Sequence, residues 1–269
     1  MIYHWLYDQF GWLGLPGASM LFGFVFWAVF VHLSYQYYFV RHRDRYVPDY
    51  RESPDELRQA RRWSFLNILG NALLLLPIQL LIVFNWSRLY LDVDDYGWPY
   101  LVMSSIGALA FAETGIYWAH RLLHVPPFYR WLHAIHHRFR EPNPTAAYAF
   151  NPADSFFLSL PYHVYVFIVP TNFWVYFSLY VFSSFWTVMI HDRVRWTPAY
   201  LGPIINHTGC HTIHHWCYRY NYGNYFTIWD KLCGTYCDPN RLPERFFAVK
   251  LPGVPPRVLE AAATLPEAD

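Results

Sequence analysis

Apolar residues gather in long blocks along the chain, separated by short polar segments, with no strand-like alternation. The first block runs from about Ala18 to Val40, the second from Trp63 to Phe84 and the third from Tyr100 to Ala119. Each matches the roughly 20 residues that an α-helix needs to cross a bilayer. A fourth stretch, Ser155 to Ile190, is too long for one crossing and is interrupted by Pro161 and Pro170. It predicts a helical hairpin that enters and leaves on the same side and turns near Pro170-Thr171-Asn172. The expected fold is an all-α polytopic membrane protein, one membrane domain over residues 1–269 with about four to five membrane helices. Runs this long and this free of charge are rare in soluble cores.

Composition agrees. The chain is 55% hydrophobic, 14% charged and 22% aromatic, and Trp and Tyr favour the bilayer interface. Loop charges orient the spans. The segment after the first span carries Arg41, Arg43, Arg45, Arg51, Arg58, Arg61 and Arg62. The next loop carries Arg88 with Asp92, Asp94 and Asp95. Positive charge stays inside, so the first loop is expected on the cytoplasmic face and the N-terminus outside. No basic region and cleavage site of a secretory signal peptide is recognisable at the start. The third span then ends on the cytoplasmic side, and the hairpin returns there too. A histidine-rich helical cap, residues 120–240, is expected on that face, with a proline-spaced tail from Pro239 wrapping it. A formal net charge of +1 gives no reason to expect a nucleic-acid partner.

The cap carries the chemistry. Three arrays occur: His120-x-x-x-His124, His133-x-x-His136-His137 and His211-x-x-His214-His215. Residues three and four apart share a helix face, so each array is expected to aim its imidazoles at one point. Neutral imidazole is a common metal ligand. A lone histidine is usually a satisfied core residue; eight in facial clusters are not. His191, ending an apolar run, makes nine. A mononuclear site takes about four ligands, so nine suggest two metal ions. Between residues 111 and 215 the acids are Glu113, Glu141, Asp154 and Asp192, too few for a carboxylate-bridged bundle site.

Glu113, Tyr117, His120 and His124 follow one helix face, which makes Glu113 and Tyr117 candidates to support a metal-bound ring from behind. Asp192, beside His191, His163 inside the hairpin, and His207, one turn before His211, are further supporting candidates. A polar residue such as His163 is costly within a membrane and often functional. His4, His32 and His42 are remote. Cys210, Cys217, Cys233 and Cys237 fall on the cytoplasmic side, where thiols stay reduced; a zinc-ribbon spacing is absent.

Zinc has no redox function, whereas iron can activate dioxygen. A site at a membrane surface implies an apolar substrate, and hydrolysis does not need so many imidazoles. Oxidation is therefore favoured. A non-catalytic membrane zinc or lipid-binding protein stays open, as does a haem-binding electron carrier, although a haem needs two axial ligands and not three clusters.

The three arrays, in this order, resemble the fatty acid hydroxylase and sterol desaturase superfamily. Pro144-Thr145, Ala149-Phe150, Ser159-Leu-Pro-Tyr-His163, Trp186-Thr187, Ile190-His191-Asp192, Asn221-Tyr-Gly223 and Trp229-Asp230 are similar to the C-5 sterol desaturases, over roughly residues 110–240. The resemblance implies two iron ions (zinc in purified material), dioxygen as oxidant, a sterol or other apolar lipid as substrate, and introduction of the C-5(6) double bond. It implies an external electron donor, a b-type cytochrome or a ferredoxin with its reductase. No dinucleotide fingerprint is present. Arg121, Arg130, Arg138, Arg140, Arg195 and Arg219 are the expected docking charges. The site would lie on the endoplasmic reticulum in a eukaryote or the inner membrane in a bacterium. Related enzymes oxidise C-4 sterol methyl groups or hydroxylate fatty acids and alkyl lipids, and these remain alternatives. Asn151, His207 and Arg193 depart from the pattern, Arg193 standing where glycine is usual.

Overall fold

The computed structural model describes residues 7–239 except 49, 51, 52, 195, 196 and 199. The tail expected to wrap the cap lies outside the described residues, as do His4, Arg51 and Arg195. The chain folds into helices α1 (Tyr7–Arg41), α2 (Pro54–Val83), α3 (Gly97–Leu123), α4 (Pro152–Ile168), α5 (Phe173–His191), α6 (Thr208–Cys217) and α7 (Ile228–Leu232).

Helices α1, α2, α3 and α5 are long and apolar enough to cross a membrane. Their outer faces leave large apolar side chains exposed: Leu21, Val25, Val29 and Leu33 along α1, and Met103 and Ile106 on α3. An apolar surface this extensive belongs in lipid. The protein is an integral membrane protein. Helix α4, at 17 residues, rises only about 25 Å, less than the roughly 30 Å hydrocarbon layer.

Helices α4 and α5 form a hairpin. Its far turn is pinned by a two-residue parallel pairing of β1 (Leu89–Tyr90) with β2 (Thr171–Asn172). Each arm starts on an asparagine whose side chain accepts a backbone N–H: Asn151 from Ala153 at 2.9 Å and Asn172 from Trp174 at 2.9 Å. Such caps satisfy donors that a helix start leaves open. Pro161 does not break α4, contrary to the expected interruption. Helix α4 packs against both α2 and α3, and neighbouring helices make a proline tolerable in a membrane helix.

Small residues permit that packing. A Cβ on Gly115 of α3 would lie 2.5 Å from Pro161 Cγ, and one on Gly70 of α2 would lie 2.5 Å from Pro152 Cγ. Small residues let membrane helices approach closely. Just before α4, Ser64 Oγ donates to Thr145 O at 3.1 Å and Asn67 Nδ2 to Tyr148 O at 3.1 Å. The loop before α4 is thereby held to α2. Ala60 meets Phe139, Ala146 and Ala149 in the same region. The N-terminal ends of α2 and α4 and the C-terminal ends of α3 and α5 thus gather at one end of the bundle.

Replacing Gly115 with alanine is expected to cost about 1–3 kcal/mol through overpacking. Denaturation in detergent measures it. The same substitution in a Pro161→Ala background is expected to cost less; an equal cost would show that Pro161 is not the obstacle.

Candidate metal centre

The gathered end holds nine histidines. His120 lies in the last turn of α3, and His124 follows its end. His191 closes α5. His211, His214 and His215 lie on α6, which His207 caps, its Nδ1 accepting from Gly209 N at 3.1 Å. His133, His136 and His137 lie on a tight helical turn, His133–Arg138, not on an α-helix.

Their nitrogens form two groups. His120, His124, His133, His137 and His214 make one, and His136, His191, His211 and His215 the other; ligand atoms within each lie within 4.8 Å of one another. Eight of the nine side chains are buried, and His124 is half-buried.

The arrays do not each point at one place, as the facial argument expects. The i, i+4 pairs 120/124, 133/137 and 211/215 each stay within one group, while His136 and His214, at i+3, cross to the other. On an α-helix a step of four residues turns about 40° past a full circle and a step of three falls about 60° short. Adjacent residues therefore diverge by about 100°, enough to serve two centres from one turn.

The spacing bears on occupancy. His124, His137 and His214 form a triangle of Nε2 atoms with edges of 3.2, 3.1 and 3.2 Å. An imidazole Nε2 either carries a hydrogen or offers a lone pair. Three atoms divide two roles, so at least one edge is repulsive unless a cation lies among them. The second group repeats the distances: 3.2 Å from His136 to His191, 3.0 Å from His191 to His211 and 3.2 Å from His211 to His215. Metal–nitrogen bonds of about 2.1 Å place neighbouring nitrogens roughly 3.0–3.4 Å apart. The residues fit metal ions.

The remaining ring nitrogens set the tautomers. His120 Nδ1 donates to Tyr222 O at 2.9 Å, His214 Nδ1 to Tyr220 O at 2.7 Å, His191 Nδ1 to Thr187 O at 2.6 Å and His133 Nδ1 to Asp154 Oδ2 at 2.8 Å. A hydrogen on Nδ1 leaves the Nε2 lone pair facing the group. Burial, reinforced by neighbouring rings, holds His136, His137, His211, His214 and His215 well below the usual histidine range. All five are neutral and available as ligands.

The loop that offers Tyr220 and Tyr222 is itself held by two buried carboxylates. Asp230 accepts from Tyr222 N at 2.8 Å and Gly223 N at 2.9 Å. Glu113 accepts from Tyr225 N at 2.8 Å, with longer bonds from Asn224 and Phe226. A side chain on Gly223 would collide with Phe226 O. Asn221 occupies left-handed backbone, φ 57°, and anchors the loop through Cys210 O and Cys237 O, both at 3.1 Å.

With this geometry described, similarity to known proteins can be judged. The fatty acid hydroxylase family model matches residues 105–235. The chain is 39% identical over 230 residues to a Delta(7)-sterol 5(6)-desaturase ERG3B of Gibberella zeae, 84% of this chain and 70% of that protein. The chain belongs to the fatty acid hydroxylase family. It is also 44% identical over 184 residues to a lathosterol oxidase of Homo sapiens, 68% of this chain and 59% of that one. With the lathosterol oxidase of Rattus norvegicus the match is 44% over 158 residues, 58% of this chain. The chain spans a little over half the length of these mammalian relatives. No solved structure matches.

Several supporting residues are placed differently from expectation. Glu113 does not accept a ring N–H: its oxygens are taken by the 224–226 backbone, and His120 turns to Tyr222 O. The acid that does hold a ring is Asp154, fully buried in the first turn of α4. An acid following Asn-Pro at the start of an apolar helix was its signal in the sequence. Tyr117 bonds Thr235 Oγ1 at 3.0 Å and receives Arg121 at 3.1 Å. Asp192 Oδ1 accepts Val194 N at 2.8 Å. His163 meets Tyr176 inside the bundle. His207 caps α6. None of these six residues belongs to either histidine group. The four cysteines are free thiols.

Arg193 has φ 60°, in the left-handed region that favours glycine. Its guanidinium pairs with Glu141 at 2.5 Å, both side chains almost fully buried. Burial pushes the Glu141 carboxyl up to about 7, and Arg193 pulls it back. A raised folded-state value means stability present at low pH and lost as pH rises from the usual carboxylate range through about 7. Arg193→Leu is expected to lower the melting temperature more at pH 8 than at pH 6. Adding Glu141→Gln should remove that difference, separating it from any pH effect on metal.

Asp154→Asn is expected to weaken metal binding roughly 10- to 100-fold, since a carboxylamide no longer fixes the His133 tautomer. Chelator competition against wild type measures it, with helicity by circular dichroism as the folding control. Unchanged affinity would dismiss the role given to Asp154.

Proposed function

We propose that the chain is a sterol desaturase that introduces a C-5(6) double bond, with two iron ions held by His120, His124, His133, His137 and His214 and by His136, His191, His211 and His215. Iron in such a site supplies the activation of dioxygen. The observation that carries the reading is a cavity of about 170 Å³ whose lining includes His120 and His133 from one group and His136, His191 and His211 from the other. A substrate there meets both groups at once.

The rest of the lining suits part of a fused-ring lipid. Ile116, Leu158 and Ile190 supply apolar wall, and Ser159, Ser183 and Thr187 add hydroxyls. The volume slightly exceeds an apolar cavity of about 150 Å³ that takes benzene. It accommodates the reacting rings, with the remainder of the molecule lying between helices. Phe150 stacks on His136 at 3.9 Å between centroids, fixing that ring and excluding water from one side. The named activities of the relatives are sterol desaturation and lathosterol oxidation, which selects the sterol among apolar lipids.

Removing two hydrogens while dioxygen goes to two waters needs two further electrons and two protons. An external carrier, a b-type cytochrome or a ferredoxin with its reductase, supplies the electrons. Arg130, Arg138, Arg140 and Arg219 are exposed near the histidine end and offer an acidic carrier electrostatic steering. The arginine-rich segment between α1 and α2 supports a cytoplasmic orientation of this end, at the endoplasmic reticulum in a eukaryote or the inner membrane in a bacterium.

Iron-loaded protein in lipid, given lathosterol or episterol, dioxygen and a reducing partner, is expected to form the conjugated 5,7-diene, read by its ultraviolet absorbance. His136→Ala and His214→Ala should each abolish product without loss of helicity. A hydroxylated fatty acid in place of the diene would overturn the C-5 assignment and keep the family; no oxidation of any lipid would overturn the catalytic reading.

A further inference from the structure

His163 belongs to neither histidine group, yet it lies inside the hairpin with 2% of its surface exposed. It lines a second cavity of about 300 Å³ between α1, α2, α4 and α5. The walls are apolar and aromatic: Leu15, Phe22, Phe173, Trp174 and Phe177. Two buried polar atoms belonging to residues of this lining lack a hydrogen-bond partner, His163 Nε2 and Gln79 Oε1. Gln79 is 5% exposed. Unmet groups of this kind in an apolar setting are costly and call for a partner.

The chemistry of that partner can be read. His163 Nδ1 lies 2.7 Å from Tyr176 Oη. In the tautomer that accepts the phenol hydrogen at Nδ1, Nε2 keeps its own hydrogen to give. Gln79 Oε1 offers a lone pair. One donor and one acceptor are what a hydroxyl completes. Apart from the His163 imidazole no acid or base lines the cavity, so an ionic headgroup would lie without a charged partner. A single water occupies about 30 Å³ and leaves most of the volume against hydrocarbon. The wall is largely aromatic, with Phe22, Phe173, Trp174, Phe177 and Tyr180, and stiff rings suit a rigid fused-ring body better than a flexible chain.

We propose that this cavity binds a neutral sterol-class alcohol, with the hydroxyl held by His163 and Gln79. The site is separate from the one at the histidines. From Tyr176 to His191 the helix advances about 22 Å. In a 3-hydroxysterol, C-5 and C-6 are only a few bonds from the hydroxyl, so a molecule anchored at His163 keeps those carbons far from the metal centre. Tyr180 lines both cavities and stands between a holding position and the reacting one. The assignment stands on the cavity alone and does not depend on the oxidation chemistry.

The test uses the full chain in lipid nanodiscs with a diazirine-bearing 3-hydroxysterol, and adducts mapped by mass spectrometry. Labelling is expected on the 173–180 segment. Unlabelled sterol should displace it at least tenfold better than its 3-methyl ether, and Gln79→Leu and His163→Phe should each erase that preference. If a variant fails to fold, the ether comparison in the wild type decides. No adduct on 173–180, or displacement by the ether as strong as by the alcohol, would overturn the site. Displacement by a straight-chain alcohol as strong as by the sterol would overturn the fused-ring assignment. Labelling that persists when no diene is formed would keep this site while rejecting the desaturase reading.

Discussion

Neutral imidazoles repel when their lone pairs converge, and this molecule brings nine of them into two tight groups. Everything around them serves to hold that convergence. Where a ring's Nδ1 hydrogen finds an acceptor, the acceptor belongs to a rigid part: the last turn of α5, the first turn of α4, or the 220–222 loop. The loop would be a poor anchor alone. Glu113 on α3 and Asp230 on α7 between them bind five successive backbone N–H groups, from Tyr222 to Phe226. Two carboxylates thus act on the metal centre through backbone carbonyls, without touching it.

Legibility from sequence followed the physics of each feature. Spans were legible because apolar length depends only on bilayer thickness, and the hairpin was legible from the length of residues 155–190. The nine histidines were legible by type and local spacing. Their division was not, because the facial rule treats steps of three and four as one direction, whereas His214 and His215, neighbours on α6, diverge by about 100° and enter different groups. Pro161 misled for a related reason: a proline interrupts an isolated helix, but Gly115 leaves room for its ring in the packed bundle. The role of Glu113 depends on a loop more than a hundred residues away, and no local pattern carries that.

Arg193 illustrates a position where local and long-range terms conflict. A left-handed backbone favours glycine, and a buried ion pair is costly to desolvate. Both penalties occur at one residue. Its partner Glu141 begins the loop that Ser64 and Asn67 fasten to α2. The pair therefore joins the end of α5, which carries His191, to the segment between the second histidine array and α4. Geometry at the histidines is bought with strain just outside them.

Charge balance explains why the centre lies at helix ends. Nine neutral imidazoles would leave the charge of bound cations uncancelled, and among the described residues Asp154 is in hydrogen-bond contact with one of these rings. A helix C-terminus carries roughly half a negative charge in its unpaired carbonyls. His120 and His124 lie at the C-terminal end of α3, His191 at that of α5, and His214 and His215 in the last turn of α6. Three such ends meet around the two groups. They provide negative potential without a carboxylate ligand, leaving the ligand sphere almost wholly imidazole. The same placement keeps the cavity beside His136 and His191 between the helices, lined by residues of α2, α3, α4 and α5.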